Sequence, residues 1–239
     1  MKQQFIQNIT IDWNKIEYGS YLRNIPALQF ENSLSFKKNI TFFVGENGTG
    51  KSTLLEAIAV AYGFNPEGGS LNYSFSTYDS HSDLYYAIRM TRGYTKPKYS
   101  YFLRAESFYN VATQEEKYAD WAHPSKKYHE KSHGESFLAL AQASFRDNGL
   151  YLLDEPEAAL SPQRQLTLLI EISRLAKQGT QFIIASHSPI LLGIPDAQIL
   201  SFDDGVIHEC DYTETESYQV TEMFINSREY LLKRLLDDE

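Results

Sequence analysis

The chain has 239 residues, 42% of them hydrophobic and 14% aromatic, with a formal net charge of -9. That content is enough for one globular core and excludes a disordered chain; the acidic balance argues against a general basic surface for nucleic acid, though not against local basic patches. A lone cysteine, Cys210, excludes an intrachain disulfide and a cysteine-based zinc cluster, reads as packing in a late strand, and fits a reducing cytoplasm.

MKQQFIQNITIDW has no apolar stretch of signal-peptide length, and no run in the chain approaches the roughly 20 residues of a membrane helix. FIQNITI (5–11) and SLSFKKN (33–39) alternate like strands with one buried face. ITFFVG (40–45) is continuously apolar, as a strand covered on both faces would be. STLLEAIAVAYG (52–63) has helical spacing and ends on Gly63. Residues 64–82 read as a loop or irregular lobe, and 84–107 as two strands joined through a turn holding Gly93 and Pro97. Residues 108–131 are polar and aromatic, helical in part, and FLALAQASF (137–145) is an apolar helix. LYLLDEP (150–156) and TQFIIASHSP (180–189) are buried strands separated by an amphipathic helix, 163–179. Residues 199–210 form two strands across an Asp-Gly turn, and a helix, 217–236, follows. This alternation implies an α/β fold with a mainly parallel central sheet. The whole chain reads as one domain: a core of about 1–63 and 137–239, with a small antiparallel β and helical lobe over about 64–136.

GENGTGKS (45–52) matches the P-loop pattern G-x-x-x-x-G-K-[ST]. Gly45, Gly48 and Gly50 let the backbone wrap phosphate oxygens. The N–H groups of Glu46, Asn47, Thr49 and Thr53 and the start of the following helix supply positive potential. Lys51 can reach the β- and γ-phosphates, and the Ser52 hydroxyl suits Mg²⁺. ATP with Mg²⁺ is the expected ligand. LYLLDE (150–155) delivers two carboxylates at a strand end, which is expected to lie beside the P-loop strand. Asp154 would hold Mg²⁺ through its water shell and Glu155 would polarise the attacking water. Two acids at a strand end also suit a solvated turn.

In order along the chain these motifs resemble the ATP-binding-cassette superfamily of ATPases. SHGES (132–136) looks like a divergent signature loop, which the resemblance places against the nucleotide of an opposite subunit through Ser132, His133, Gly134 and Glu135. A capping box at Ser132 and Glu135 accounts for the same residues. EPEAALSP (155–162) resembles the loop that crosses the dimer interface, and His187 resembles the switch histidine that touches the γ-phosphate. The resemblance implies a catalytic set of Glu155, His187 and Lys51. It implies a Mg²⁺ contact after the strand at 99–105, where Glu106 stands and Gln114 follows, and an adenine-stacking aromatic among Tyr18, Tyr21 and Phe30, or a grip by Arg23. The signature departs from that of transport cassettes and looks closer to free-standing heads of the chromosome-maintenance, recombination-repair and overcoming-lysogenisation types and to small bacterial ATPases. It implies an ATP-dependent, cytoplasmic homodimer. An ATP-gated binding switch acting on DNA or a protein partner, contacted through 64–110 or Lys126, Lys127 and Lys131, and a transporter subunit are the alternatives.

Overall fold

The computed structural model describes residues 4–30, 32–71, 82–104, 138, 141 and 144–236. Strand β1 (Ile6–Ile11) is flanked on both sides by antiparallel partners, β2 (Leu34–Ser35) and β4 (Ile88–Arg92), in a three-stranded sheet. A six-stranded sheet holds β5 (Tyr99–Arg104), β6 (Gly149–Asp154), β7 (Gln181–Ala185), β3 (Ile40–Val44), β8 (Gln198–Ser201) and β9 (His208–Glu209) in that spatial order. All its pairings are parallel except β8 with β9. They are accompanied by helices α1 (Lys51–Tyr62), α2 (Leu84–Ala87), α3 (Pro162–Lys177), α4 (Pro189–Leu192) and α5 (Glu216–Leu236).

Every residue of β3 is buried, because β7 and β8 pair with it on both sides and helices cover both faces. The two cores lie on opposite faces of this sheet. One joins α1 and the antiparallel sheet to Phe43, Phe102, Leu152 and Ile183. The other packs α3 and α4 on Phe42, Tyr151, Leu153 and Ile184. In the second core Phe145, Tyr151 and Phe182 form a cluster with ring centroids 4.5 to 5.9 Å apart. The Tyr151 phenol is pushed up to about 12 by burial, so it stays neutral. It accepts from the Arg146 N–H at 2.7 Å and lies 3.2 Å from the Ser144 carbonyl oxygen, which can accept its proton. Tyr151→Phe is expected to cost about 1–2 kcal/mol, because the Arg146 N–H loses its acceptor. Urea unfolding measures this, and an unchanged midpoint would remove the hydroxyl from the stability account.

Several expectations change. The segment 84–93 begins as a helical turn: Leu84 and Ala87, three apart, are both fully buried beneath α1, and the chain extends only from Ile88. The two strands of 84–107 do not pair with each other, since β4 joins β1 while β5 lies parallel to β6 in the large sheet. The antiparallel sheet is therefore built mostly from the N-terminal segment, and β5 belongs with the nucleotide core. Only Leu34 and Ser35 of 33–39 form a strand: Phe36 N–H still donates to the Gln7 carbonyl of β1, but the next amide, of Lys37, turns away to the Gln198 side chain. The Asp-Gly turn is present, with Asp204 and Gly205 both at positive φ (58° and 74°), as a hairpin turn of this type requires. Cys210 follows β9 rather than lying in it, half-buried against the second core, and burial with nearby acids pushes its thiol up to about 11.

Candidate active site

The P-loop runs from the end of β3 into α1, as expected. Gly45, Gly48 and Gly50 take φ of +133°, +85° and +99°. Gly45 has a second constraint, since a Cβ there would lie 2.8 Å from Asp203 Oδ1. Gly50 opens α1 in the left-handed region, and a Cβ would meet Ile25 Cγ2 at 2.8 Å. Gly50→Ala is therefore expected to cost about 1–3 kcal/mol in stability and to weaken ATP binding as the loop shifts. Denaturation and titration with fluorescent mantATP would show it; a variant unchanged in both would mean the loop yields freely.

Lys51 is only 4% exposed. Its Nζ donates to the carbonyls of Gly45 at 2.6 Å and Glu46 at 2.7 Å. Burial pulls its pKa down, opposed by the carboxylates of Glu155, Asp203, Asp154 and Glu157. The ammonium is thus held in the mouth of the loop, among acids, where phosphate oxygens would compete for it.

Ser52 Oγ donates to Asp154 Oδ1 at 2.8 Å. This bond joins α1 to the acidic strand end, although β6 is not adjacent to β3 as expected: β7 lies between them. Ser52 and Asp154 present two converging hard oxygen atoms, which fits Mg²⁺, an ion that takes most of its remaining ligands from water and phosphate. Bound there, the ion would neutralise charge on the β- and γ-phosphates. Glu155 follows with φ +47°, uncommon for a residue with a side chain, and its N–H donates to the Ala185 carbonyl at 2.9 Å. Its Oε1 lies 3.9 Å from His187 Nε2. Burial first, and then Lys51, pull the His187 pKa below its ordinary value, so the ring is neutral at pH 7.

Val44, Gly45, Asn47, Glu155, His187 and the first turn of α5 line a cleft of about 590 Å³. A second cleft of about 560 Å³ lies along Glu46–Thr49, closed by Pro26, Ala27 and the Phe202–Gly205 turn. The structure thus brings Lys51, Ser52, Asp154, Glu155 and His187 together. It gives Arg23 a different task. The guanidinium donates to the carbonyls of Trp13 at 2.6 Å, Ile16 at 2.7 Å and Glu17 at 3.1 Å, stacks on Trp13 and Tyr18, and lines neither cleft. Tyr18, Tyr21 and Phe30 line neither cleft as well. Ser132, His133, Gly134, Glu135, Glu106, Gln114, Lys126, Lys127 and Lys131 lie outside the described residues. The strand end before Glu106 is anchored by an Arg104–Glu56 ion pair at 2.6 Å.

Two site residues gave no motif signal. Asp203 accepts from the Glu46 N–H at 2.9 Å and from Ser201 Oγ at 3.1 Å, bracing the P-loop from the β8–β9 turn. In sequence it is only the first acid of a turn. Glu157 lies in the segment that resembles the interface loop, and its side chain accepts from Ser186 Oγ and the His187 N–H.

A family model described as an AAA domain matches residues 19–148, more than half of the chain, and a second AAA-domain model matches 127–193. The chain belongs to the AAA-domain family. The matched region is accordingly an ATPase domain, built as an α/β P-loop fold with a mostly parallel sheet and a separate antiparallel one. A curated relative from Haemophilus influenzae, named an uncharacterized ABC transporter ATP-binding protein, is 29% identical over 182 residues. The match covers 64% of this AAA-domain chain and 65% of that relative's length. Among solved structures, an ATP-binding cassette of an ABC transporter superposes with a TM-score of 0.44 at 18% identity, covering 96% of this chain and 98% of the other. The SMC head domain from Thermotoga maritima gives 0.39 at 16% identity, covering 75% and 92%. The AAA-domain match gives the family. The resemblance to the ATP-binding-cassette superfamily is borne out at that level. No helix among the described residues is long and apolar enough to cross a membrane.

Proposed function

We propose that the chain works as a single ATPase domain in which two copies bind ATP–Mg²⁺ head to tail, as a cytoplasmic ATPase not dedicated to transport. The observation that carries this reading is the convergence around the P-loop: the Ser52–Asp154 bond at the start of α1, and Glu155 and His187, 3.9 Å apart, in the open cleft beside Gly45–Asn47. The residues of Gly45–Thr53 cradle the phosphates. Glu155 takes the proton of the attacking water, and neutral His187 orients that water against the γ-phosphate. Lys51 stabilises charge on the transferred group. In the sandwich, Ser132–Glu135 of the second copy would close the cleft, and a two-fold axis would make both sites alike. Light scattering of Glu155→Gln at saturating ATP tests this: a dimer is expected, and a monomer sinks the sandwich.

The printed name of the Haemophilus influenzae relative supports a second reading, as the ATPase subunit of a transporter. Co-purification of a membrane protein with the tagged chain would favour it. Stimulation of turnover by duplex DNA would instead favour a nucleic-acid partner.

A further inference from the structure

Two residues beyond Glu155, the Glu157 side chain turns back to the neighbouring strand end. Its Oε1 accepts two hydrogen bonds there, from Ser186 Oγ at 2.9 Å and from the His187 N–H at 2.6 Å. Ser186 is fully buried, and its Oγ also accepts from the Ser188 N–H at 3.1 Å. Ser188 Oγ in turn donates to Gln165 Oε1 on α3 at 2.6 Å. On the other side, the loop that carries Glu155 is itself tightly turned: Ala158 N–H donates to the Glu155 carbonyl and Leu160 N–H to the Glu157 carbonyl. Glu157 is the side chain through which these two folded loops meet.

Its environment fits a fixed link. Burial pushes the Glu157 carboxyl above the usual range, and the two hydrogen bonds only partly offset that. Two buried atoms at the junction have no hydrogen-bond partner among the described residues, Glu157 Oε2 and His187 Nε2. The backbone of His187 is therefore held, while the ring nitrogen nearest Glu155 is left for a group that enters the cleft.

We propose that Glu157 is a positioning residue that straps the His187 loop to the Glu155 loop, so that both groups meet the γ-phosphate as one unit. This rests on reading Glu155 and His187 as the hydrolytic groups. The test measures kcat and mantATP affinity for Glu157→Ala, Glu157→Gln, His187→Ala and the Glu157→Ala/His187→Ala double variant, beside Glu155→Gln. Loss of the strap is expected to lower kcat by roughly 10- to 100-fold while mantATP affinity stays near wild type. Glu157→Gln should restore most of the rate, because its amide oxygen accepts the same two bonds. In the His187→Ala background, Glu157→Ala should add little, since the strap acts through that residue. If Glu157→Ala fails to fold, Glu157→Asp replaces it with the same expectations, being one methylene too short to reach. A wild-type rate without the strap, or losses that multiply in full with His187→Ala, would overturn the proposal. If Glu155→Gln keeps hydrolysing, the underlying reading fails instead; if only the strap variants stay active, only the strap fails.

Discussion

Glu155→Gln is expected to stop turnover while ATP stays bound. The exchange keeps the shape and backbone of the residue, including its φ of +47° and its N–H bond to the Ala185 carbonyl. It removes only the basic carboxylate. General-base catalysis contributes about 10²- to 10⁴-fold, so kcat should fall by that amount. The phosphates are held by Gly45–Ser52, which the exchange leaves alone, so mantATP affinity should stay close to wild type. Single-turnover hydrolysis separates binding from chemistry. A variant retaining more than about a tenth of the wild-type rate would exclude Glu155 as the base.

Lys51→Ala should act at the earlier step. Lys51 is the buried cation in the mouth of the loop, already holding two loop carbonyls at 2.6 and 2.7 Å. ATP would replace those neutral acceptors with phosphate oxygens. Hydrogen bonds to charged groups contribute about 1.5–3 kcal/mol each, so losing one or two should weaken binding by about 2–4 kcal/mol, or roughly 30- to 700-fold in Kd. Titration with mantATP measures this directly. An affinity within about threefold of wild type, a difference under about 1 kcal/mol, would mean the backbone N–H groups alone hold the phosphates. The two variants thus predict opposite patterns, bound without turnover and not bound.

The nucleotide loop was legible because its signals are local. An apolar run, three glycines and an amphipathic helix follow one another within 40–63, and the structure keeps their order and ends, down to Gly63 as the cap of α1. Strand order was not legible. Placing β7 between β3 and β6 depends on pairings such as Ile40 with Phe182 and Leu150 with Gln181, which no short window contains. The bonds of Arg23 were not legible either, because its partners, the carbonyls of Trp13, Ile16 and Glu17, are backbone groups without a side-chain signature. Asp203 and Glu157 were missed for a related reason: each acts on a backbone N–H, of Glu46 and of His187, contributed by a distant segment.

The strand order also sets a schedule for synthesis. The P-loop is complete in sequence by Ser52, yet the strands beside β3 are Gln181–Ala185 and Gln198–Ser201, and the brace on Glu46 is Asp203. At about 5–20 residues per second, the ribosome delivers that brace roughly 8–30 s after the loop itself. Until then the growing chain carries the phosphate-binding sequence without the walls that shape it. A nucleotide site with these walls can therefore form only after residues 181–203 have been made.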